Sequence, residues 1–145
     1  MPRLKAAIAR AYKLRTEMFG PEHIRRKSVV SEVAPEMARL TNEQIFGGVW
    51  ARTDKLDRRS RWWIVLTALA SLRSTRELKI YMKGALRTDV TKEELGEAIT
   101  HMAFYLGWPT AVNAARVAGE AIAEAEAERA APRPRRGRPR KQPTK

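Results

Sequence analysis

Apolar residues recur every three or four positions along most of this chain, and no stretch alternates apolar with polar residues over the length of a strand. That periodicity predicts helices throughout and no sheet. It is densest from Leu56 to Pro109, around which the rest of the chain is organised. The run from Trp62 to Leu72 is apolar on more than one face, which suits a helix in the middle of a bundle or at an interface between copies of the chain. The next predicted helix sets Leu78, Tyr81, Met82 and Ala85 inward, with Arg76, Lys79 and Lys83 outward. The third sets Leu95, Ala98, Ile99, Met102 and Leu106 inward and carries Glu97, His101 and Tyr105 along one face.

Capping residues mark where these helices begin. Asp57 precedes a run of helix formers, and its carboxylate can accept from the amides of the first turn. Ser74 with Glu77, and Thr91 with Glu94, have the spacing of a capping box, in which N-cap and N3 side chains satisfy each other's backbone donors. Gly107 and Pro109 close the third helix. Upstream, Leu4, Ile8, Ala11 and Leu14 predict an amphipathic helix over 2–16, Gly20-Pro21 a turn, and 22–27 a second short helix. Pro35 suits the first turn of a helix in which Met37, Leu40 and Ile45 give an apolar stripe up to Phe46 and which Gly47-Gly48 weakens or ends near Trp50. A last helix is expected from about Thr110 to Ala131, its Ala/Glu-rich end solvated and frayed. The fold class is therefore all-α, with about six or seven helices.

Composition adds the domain layout. The chain has 145 residues, enough for one ordinary domain and too few for two, and 43% of them are hydrophobic, sufficient for a core. Its net charge of +13 is concentrated at the two ends: residues 1–31 hold eight Lys/Arg against two Glu, residues 132–145 hold seven basic residues and no acid, and 32–131 balance. We expect a helical domain over 1–131 and a disordered basic tail over 132–145. No apolar run approaches the roughly 18 residues of a membrane span, and no secretory leader is recognisable, so a cytoplasmic protein is expected. Cysteine is absent, which excludes disulfides, thiolate metal sites and thiol redox chemistry.

The ordered set Leu14-Arg-Thr-Glu-Met-Phe-Gly-Pro-Glu-His23, Gly48-Val-Trp50, Leu56-Asp-Arg-Arg-Ser-Arg61, Glu77-Leu-x5-Gly-Ala-Leu86, Val90-Thr-Lys-Glu-Glu-Leu95 and His101-x3-Tyr-x-Gly-Trp-Pro109 resembles the carboxymuconolactone decarboxylase family. That family shares the alkylhydroperoxidase D-like helical fold, and the resemblance implies a homo-oligomer, trimeric or hexameric. The peroxidase branch of the fold places a Cys-x-x-Cys pair where Ser74 and Glu77 stand here, and a relay Glu at the position of Trp62. Without a thiolate nucleophile, that branch's chemistry is excluded. The decarboxylase branch usually has His where this chain has Tyr81, and often an amide where it has His101.

The resemblance implies a cofactor-free carbon–carbon lyase that decarboxylates a carboxylated lactone or similar small acidic ring-cleavage product of aromatic catabolism. Such a reaction needs cations to hold carboxylates, donors to stabilise a dienolate, and one proton donor. On this reading His101 is the proton donor or shuttle, Glu77 its partner or a second acid, and Tyr81 a hydrogen-bond donor. Arg58, Arg61 and Arg73 are candidates for holding substrate carboxylates; Arg58, Arg59 and Arg61 sit in the first turn of a helix, where positive charge is slightly unfavourable, which points to a carboxylate or an inter-subunit partner. Each also has a structural reading: Glu77 as part of a cap, His101 and Tyr81 as core residues. His23 stands alone, and no metal site is expected.

The tail supplies a competing function. Arg136-Gly137-Arg138-Pro139 resembles an AT-hook, in which an extended Arg-Gly-Arg lies in the narrow minor groove of A·T-rich DNA. The alternative to the enzyme is thus a non-catalytic scaffold that contacts nucleic acid through Arg136, Gly137, Arg138 and Pro139; nonspecific attraction to polyanions and simple solubilisation are further roles open to the tail.

Overall fold

Asp57 opens the central helix as its position predicts, accepting from the Ser60 amide at 2.8 Å and the Ser60 hydroxyl at 2.7 Å. In the computed structural model, which describes residues 2–25 and 28–131, this helix is one of eight α-helices: α1 (Pro2–Phe19), α2 (Pro21–Arg25), α3 (Val29–Val33), α4 (Pro35–Leu40), α5 (Arg58–Ser71), α6 (Thr75–Thr88), α7 (Lys92–Leu106) and α8 (Trp108–Ala130). Residues Thr41–Trp50 form a π-helix, and no strand occurs among the described residues. The all-α expectation holds. Two of the eight helices, α2 and α3, are single turns of five residues.

Thr91 and Glu94 form the capping box that their spacing predicts, with the Glu94 amide donating to the Thr91 hydroxyl at 3.2 Å and the Thr91 amide to the Glu94 carboxylate at 3.0 Å. Ser74 and Glu77 do not. Ser74 is the N-cap of α6, but its side chain makes no capping bond, and its amide, the donor that Glu77 would accept from in a capping box, goes to the Leu69 carbonyl at 3.0 Å to close α5. That closure puts Arg73 in the left-handed region, φ 56°, a conformation that costs a non-glycine residue about 1 kcal/mol. Glu77 is left exposed on the first turn of α6.

The core is built around α6. Leu78, Met82 and Ala85 are fully buried, and α6 packs on α1, α5 and α8. Lys79 pairs with Glu120 and Glu124, Lys83 with Glu124 and Glu128, and Arg87 with Glu128, so α6 and α8 run parallel with their ion pairs advancing together. These pairs, and a bond from Arg129 to the Leu86 carbonyl at 2.5 Å, carry α8 to Ala130, where the sequence predicted a frayed end. The α7–α8 pair is antiparallel, its Lys92–Glu126 contact joining the start of one helix to the end of the other.

The predicted stripe is only partly right. The wider turn of the π-helix buries Glu43, Phe46, Gly47 and Trp50 and leaves Ile45 44% exposed, while Met37 and Leu40, on α4, are 55% and 41% exposed. Gly47 is where this segment meets α1: a Cβ there would lie 2.4 Å from the Ala7 carbonyl oxygen, so only glycine permits the approach.

The α5–α7 junction gives a pH dependence. Arg59 donates to both Glu94 carboxylate oxygens at 2.6 and 3.0 Å, and with the Thr91 amide it holds that carboxyl well below its ordinary 4.5, at about 2. A folded-state pKa depressed in this way contributes stability above the unfolded value and loses it as the pH falls from about 4.5 towards 2. The difference in urea midpoint between wild type and Glu94→Gln is expected to close over that interval. A gap that stays constant from pH 6 to pH 2 would show that the carboxylate contributes nothing.

Candidate active site

Four aromatic rings converge where α1, the π-helix, α5 and α6 meet. Trp62 is fully buried, and its ring lies 4.8 Å from Trp50, 6.0 Å from Tyr81 and 6.1 Å from Phe19, measured between centroids, each edge to face. Tyr81 also packs edge-on against Phe19 at 5.3 Å. Gly84, one turn along α6, makes the room: a Cβ there would come within 2.8 Å of the Trp62 ring and 3.0 Å of Phe19. The Trp62 indole donates to Asp89 at 2.9 Å and to Thr88 at 3.2 Å, fixing the ring's orientation.

Ionisable groups stand beside this aromatic wall. Burial pushes the Tyr81 phenol above its ordinary value and the neighbouring Arg15 guanidinium pulls it back in part, so Tyr81 is a protonated donor at neutral pH. Its hydroxyl makes no hydrogen bond to the described residues. Arg15 extends from α1, lies 5.2 Å over the Phe46 ring and donates from Nη1 to Asn42 at 2.6 Å. His23 in α2 packs against Phe19 at 5.0 Å; partial burial and the Arg15 charge lower its pKa, favouring the neutral imidazole. Sequence reasoning gave Arg15 no place at this wall and left His23 standing alone, although both lie inside the quoted Leu14–His23 stretch. The signal available was Arg15 sitting on the face of α1 that carries Ala11 and Met18 inward.

The predicted catalytic trio is not assembled within one chain. Tyr81 faces α1 and the π-helix, Glu77 is exposed one turn earlier in α6, and His101 is exposed on α7 with Tyr105 as its aromatic neighbour at 5.0 Å. The reason is the order of packing: α8 lies beside α6, and α7 packs on α8 and α5. His101 instead shares a surface with Phe104 and Tyr105, each 77% exposed, and Trp108, 64% exposed.

Two of the three predicted carboxylate-holding arginines are engaged elsewhere. Arg58 makes a two-pronged contact to Asp89, at 2.6 and 3.1 Å, and reaches Glu17 at 3.3 Å. Arg61 donates to the Leu56 and Arg52 carbonyls at 3.1 and 2.9 Å. The unfavourable charge at the start of α5 is thus answered inside the chain. Arg73 is exposed in the α5–α6 turn. Arg136, Gly137, Arg138 and Pro139 lie outside the described residues. No group of three or more His, Asp or Glu side chains positioned to hold a metal occurs among the described residues, and none of their helices is long and apolar enough to cross a membrane.

An all-helical body with a phenol, an imidazole and a guanidinium at an aromatic wall, and no thiol, is the class of protein that fold and site define. The sequence profile of the Carboxymuconolactone decarboxylase family matches residues 35–120, more than half of the chain, and the protein belongs to that family. It is 28% identical over 109 residues to the 4-carboxymuconolactone decarboxylase of Acinetobacter baylyi, covering 74% of this chain and 81% of that protein. It is 30% identical over 112 residues to the nitrosuccinic acid decarboxylase of Metarhizium robertsii, covering 76% of this chain and 77% of that one.

Proposed function

We propose that this protein is a cofactor-independent decarboxylase of a small, multiply charged carboxylic acid, a carboxylated lactone or a compound with a comparable electron sink. Two relatives named for different substrates are both decarboxylases, and both names describe an acid carrying an electron-withdrawing group. In such a substrate the carbon–carbon bond to the carboxylate breaks, CO2 leaves, and the electron pair passes into the neighbouring carbonyl or nitro group. The resulting carbanion equivalent then takes one proton at carbon. The observation that carries the reading is Tyr81, a donor that burial keeps protonated, set into an aromatic wall beside a cation. That arrangement stabilises developing negative charge and supplies the hydrogen bond or proton the collapse requires.

His101 takes part only if another copy of the chain brings it to a Tyr81 cluster. The exposed Phe104, Tyr105 and Trp108 on the same surface favour such self-association, since a contiguous apolar patch of this kind marks an interaction site. The experiment is CO2 release from 4-carboxymuconolactone and from nitrosuccinate, with His101→Ala alongside and the assembly size followed by light scattering. Turnover of either substrate is the expected result. A folded protein that releases CO2 from neither would remove the decarboxylase reading for these two acids. Loss of turnover in His101→Ala with unchanged assembly size would place His101 in the site, whereas full turnover would confine it to the surface.

A further inference from the structure

The end of α8 delivers the chain out of the bundle at a fixed point. Arg129 donates to the Leu86 carbonyl at 2.5 Å, Glu128 pairs with Lys83 and Arg87, and α8 stays helical to Ala130. Ala131 then takes extended backbone, φ −64° and ψ 133°, the conformation that a following proline ring favours, and Pro132 has no N–H with which to continue the helix. Residues 132–145 lie outside the described part of the chain; their sequence holds seven Arg or Lys, four Pro and no acid.

The helix from which those cations depart offers them no unpaired carboxylate. Lys79 takes Glu120 and Glu124 at 3.1 and 3.0 Å, and Lys83 takes Glu124 and Glu128 at 2.8 and 2.7 Å. Lys92 reaches Glu126, the remaining glutamate of α8, at 3.8 Å. Residues 32–131 balance in charge as a whole, so the body neither neutralises the basic segment nor repels a polyanion that approaches it. A dense run of unanswered cations leaving a neutral domain is the electrostatic footprint of nucleic-acid binding.

The order of residues selects the kind of nucleic acid. We infer that the segment around Arg136-Gly137-Arg138 binds the minor groove of A·T-rich duplex DNA, a function separate from that of the helical body and independent of the decarboxylase reading. The narrow minor groove of A·T-rich sequence concentrates negative potential and draws in arginine, whereas a G·C pair adds an amino group to the groove floor. Gly137 carries no Cβ, so the backbone between the two arginines can lie against that floor. Pro134 and Pro139 fix φ on either side at an extended value, which lowers the entropy lost on binding. An extended chain advances about 3.1 Å per residue and a duplex about 3.4 Å per base pair, so Arg135 to Arg140 follows the groove for about five or six base pairs. The segment has no aromatic residue on which single-stranded bases could stack, and no apolar residue to anchor it in a lipid surface.

The test is fluorescence anisotropy of the intact protein with labelled A·T-rich and G·C-rich duplexes of equal length, over a series of salt concentrations. The A·T-rich duplex is expected to bind roughly tenfold or more tightly, the scale of a discriminated base pair. Its log–log salt slope is expected between about −3 and −6, as for four to seven phosphates at about −0.9 each. Arg136→Gln with Arg138→Gln, a change beyond the last helix, is expected to abolish the A·T preference. Truncation after Ala131 is expected to abolish binding altogether and leave CO2 release as it was. Equal affinity for the two duplexes overturns the inference and leaves general attraction to polyanions. Binding that survives truncation overturns it by moving the contact to the body. Tighter binding to phosphatidylserine vesicles than to the A·T-rich duplex overturns it in favour of a membrane surface, and so does the absence of any DNA binding at about 50 mM salt, where phosphate contacts are strongest.

Discussion

Trp62→Ala is expected to lower the unfolding free energy by roughly 3–5 kcal/mol, the range for truncating a fully buried tryptophan. The ring is the largest of the side chains with no exposed surface, and it is the common neighbour of Phe19, Trp50 and Tyr81. Gly84 has no Cβ to move into the space, and the packed rings around it cannot collapse without leaving their edge-to-face geometry. The indole N–H is also lost, removing one of the donors to Asp89, although Arg58 still satisfies that carboxylate. Against a total of about 5–15 kcal/mol for a domain, this is a large fraction, and at an m-value of about 2 kcal/mol/M the urea midpoint falls by roughly 2 M. Trp62→Phe, which keeps an aromatic ring but no donor, should cost about half as much. If Trp62→Ala moves the midpoint by less than 0.5 M, as an order-of-magnitude threshold, the cluster is not the structural centre that its burial describes.

Position 62 also shows how the fold separates from the chemistry. The peroxidase branch that shares this architecture is expected to carry a relay Glu there; here an indole fills the volume and its N–H turns to Asp89 at the end of α6. A carboxylate in that place would be buried among Phe19, Trp50 and Tyr81, where ionisation is unfavourable. This chain fills the position with packing; Tyr81 and His23 stand on the side of the cluster facing α1 and α2, and Asp89 with Arg58 at the indole N–H.

Much of this was legible in the sequence because local chemistry decided it. Asp57, Thr91 and Glu94 make their own hydrogen bonds within one turn, so their spacing suffices. The inward faces of α6 and α7 follow from a regular 3.6-residue period, and Leu78, Met82, Leu95, Ile99 and Met102 are buried accordingly. Legibility failed where one helix end spends a group that another needs, as the Ser74 amide does in closing α5 on Leu69. It failed again where the period itself changes: the π-turn over Thr41–Trp50 rotates Phe46 and Trp50 into the core and Ile45 out of it. The site was less legible than the fold because it depends on which helices are neighbours. Tyr81 and His101 lie on consecutive helices with short turns, yet α8 beside α6 leaves them on different surfaces, and Arg15 reaches the cluster from the far end of the chain.

Tyr81→Phe is expected to reduce turnover roughly 10²- to 10⁴-fold, the span associated with a positioned proton donor or acid, while changing stability by less than about 1 kcal/mol. The ring accounts for the contacts with Phe19, Trp50 and Trp62, and phenylalanine keeps all of them. The hydroxyl makes no hydrogen bond to the described residues, so its removal strands no partner and the loss falls on the reaction alone. Tyr81→His separates donor strength from position, because the resemblance expects an imidazole at this place in the decarboxylase branch. A histidine there donates as imidazolium only below its pKa, and burial beside Arg15 lowers that value, as it does for His23. The variant is therefore expected to work on the acid side of neutrality and fade as the pH rises, whereas wild type, whose phenol is pushed upward, holds its activity through neutral pH. A Tyr81→Phe enzyme with unchanged kcat would reduce Tyr81 to a wall residue, and the proton would then have to come from His23 or from His101 of a second copy.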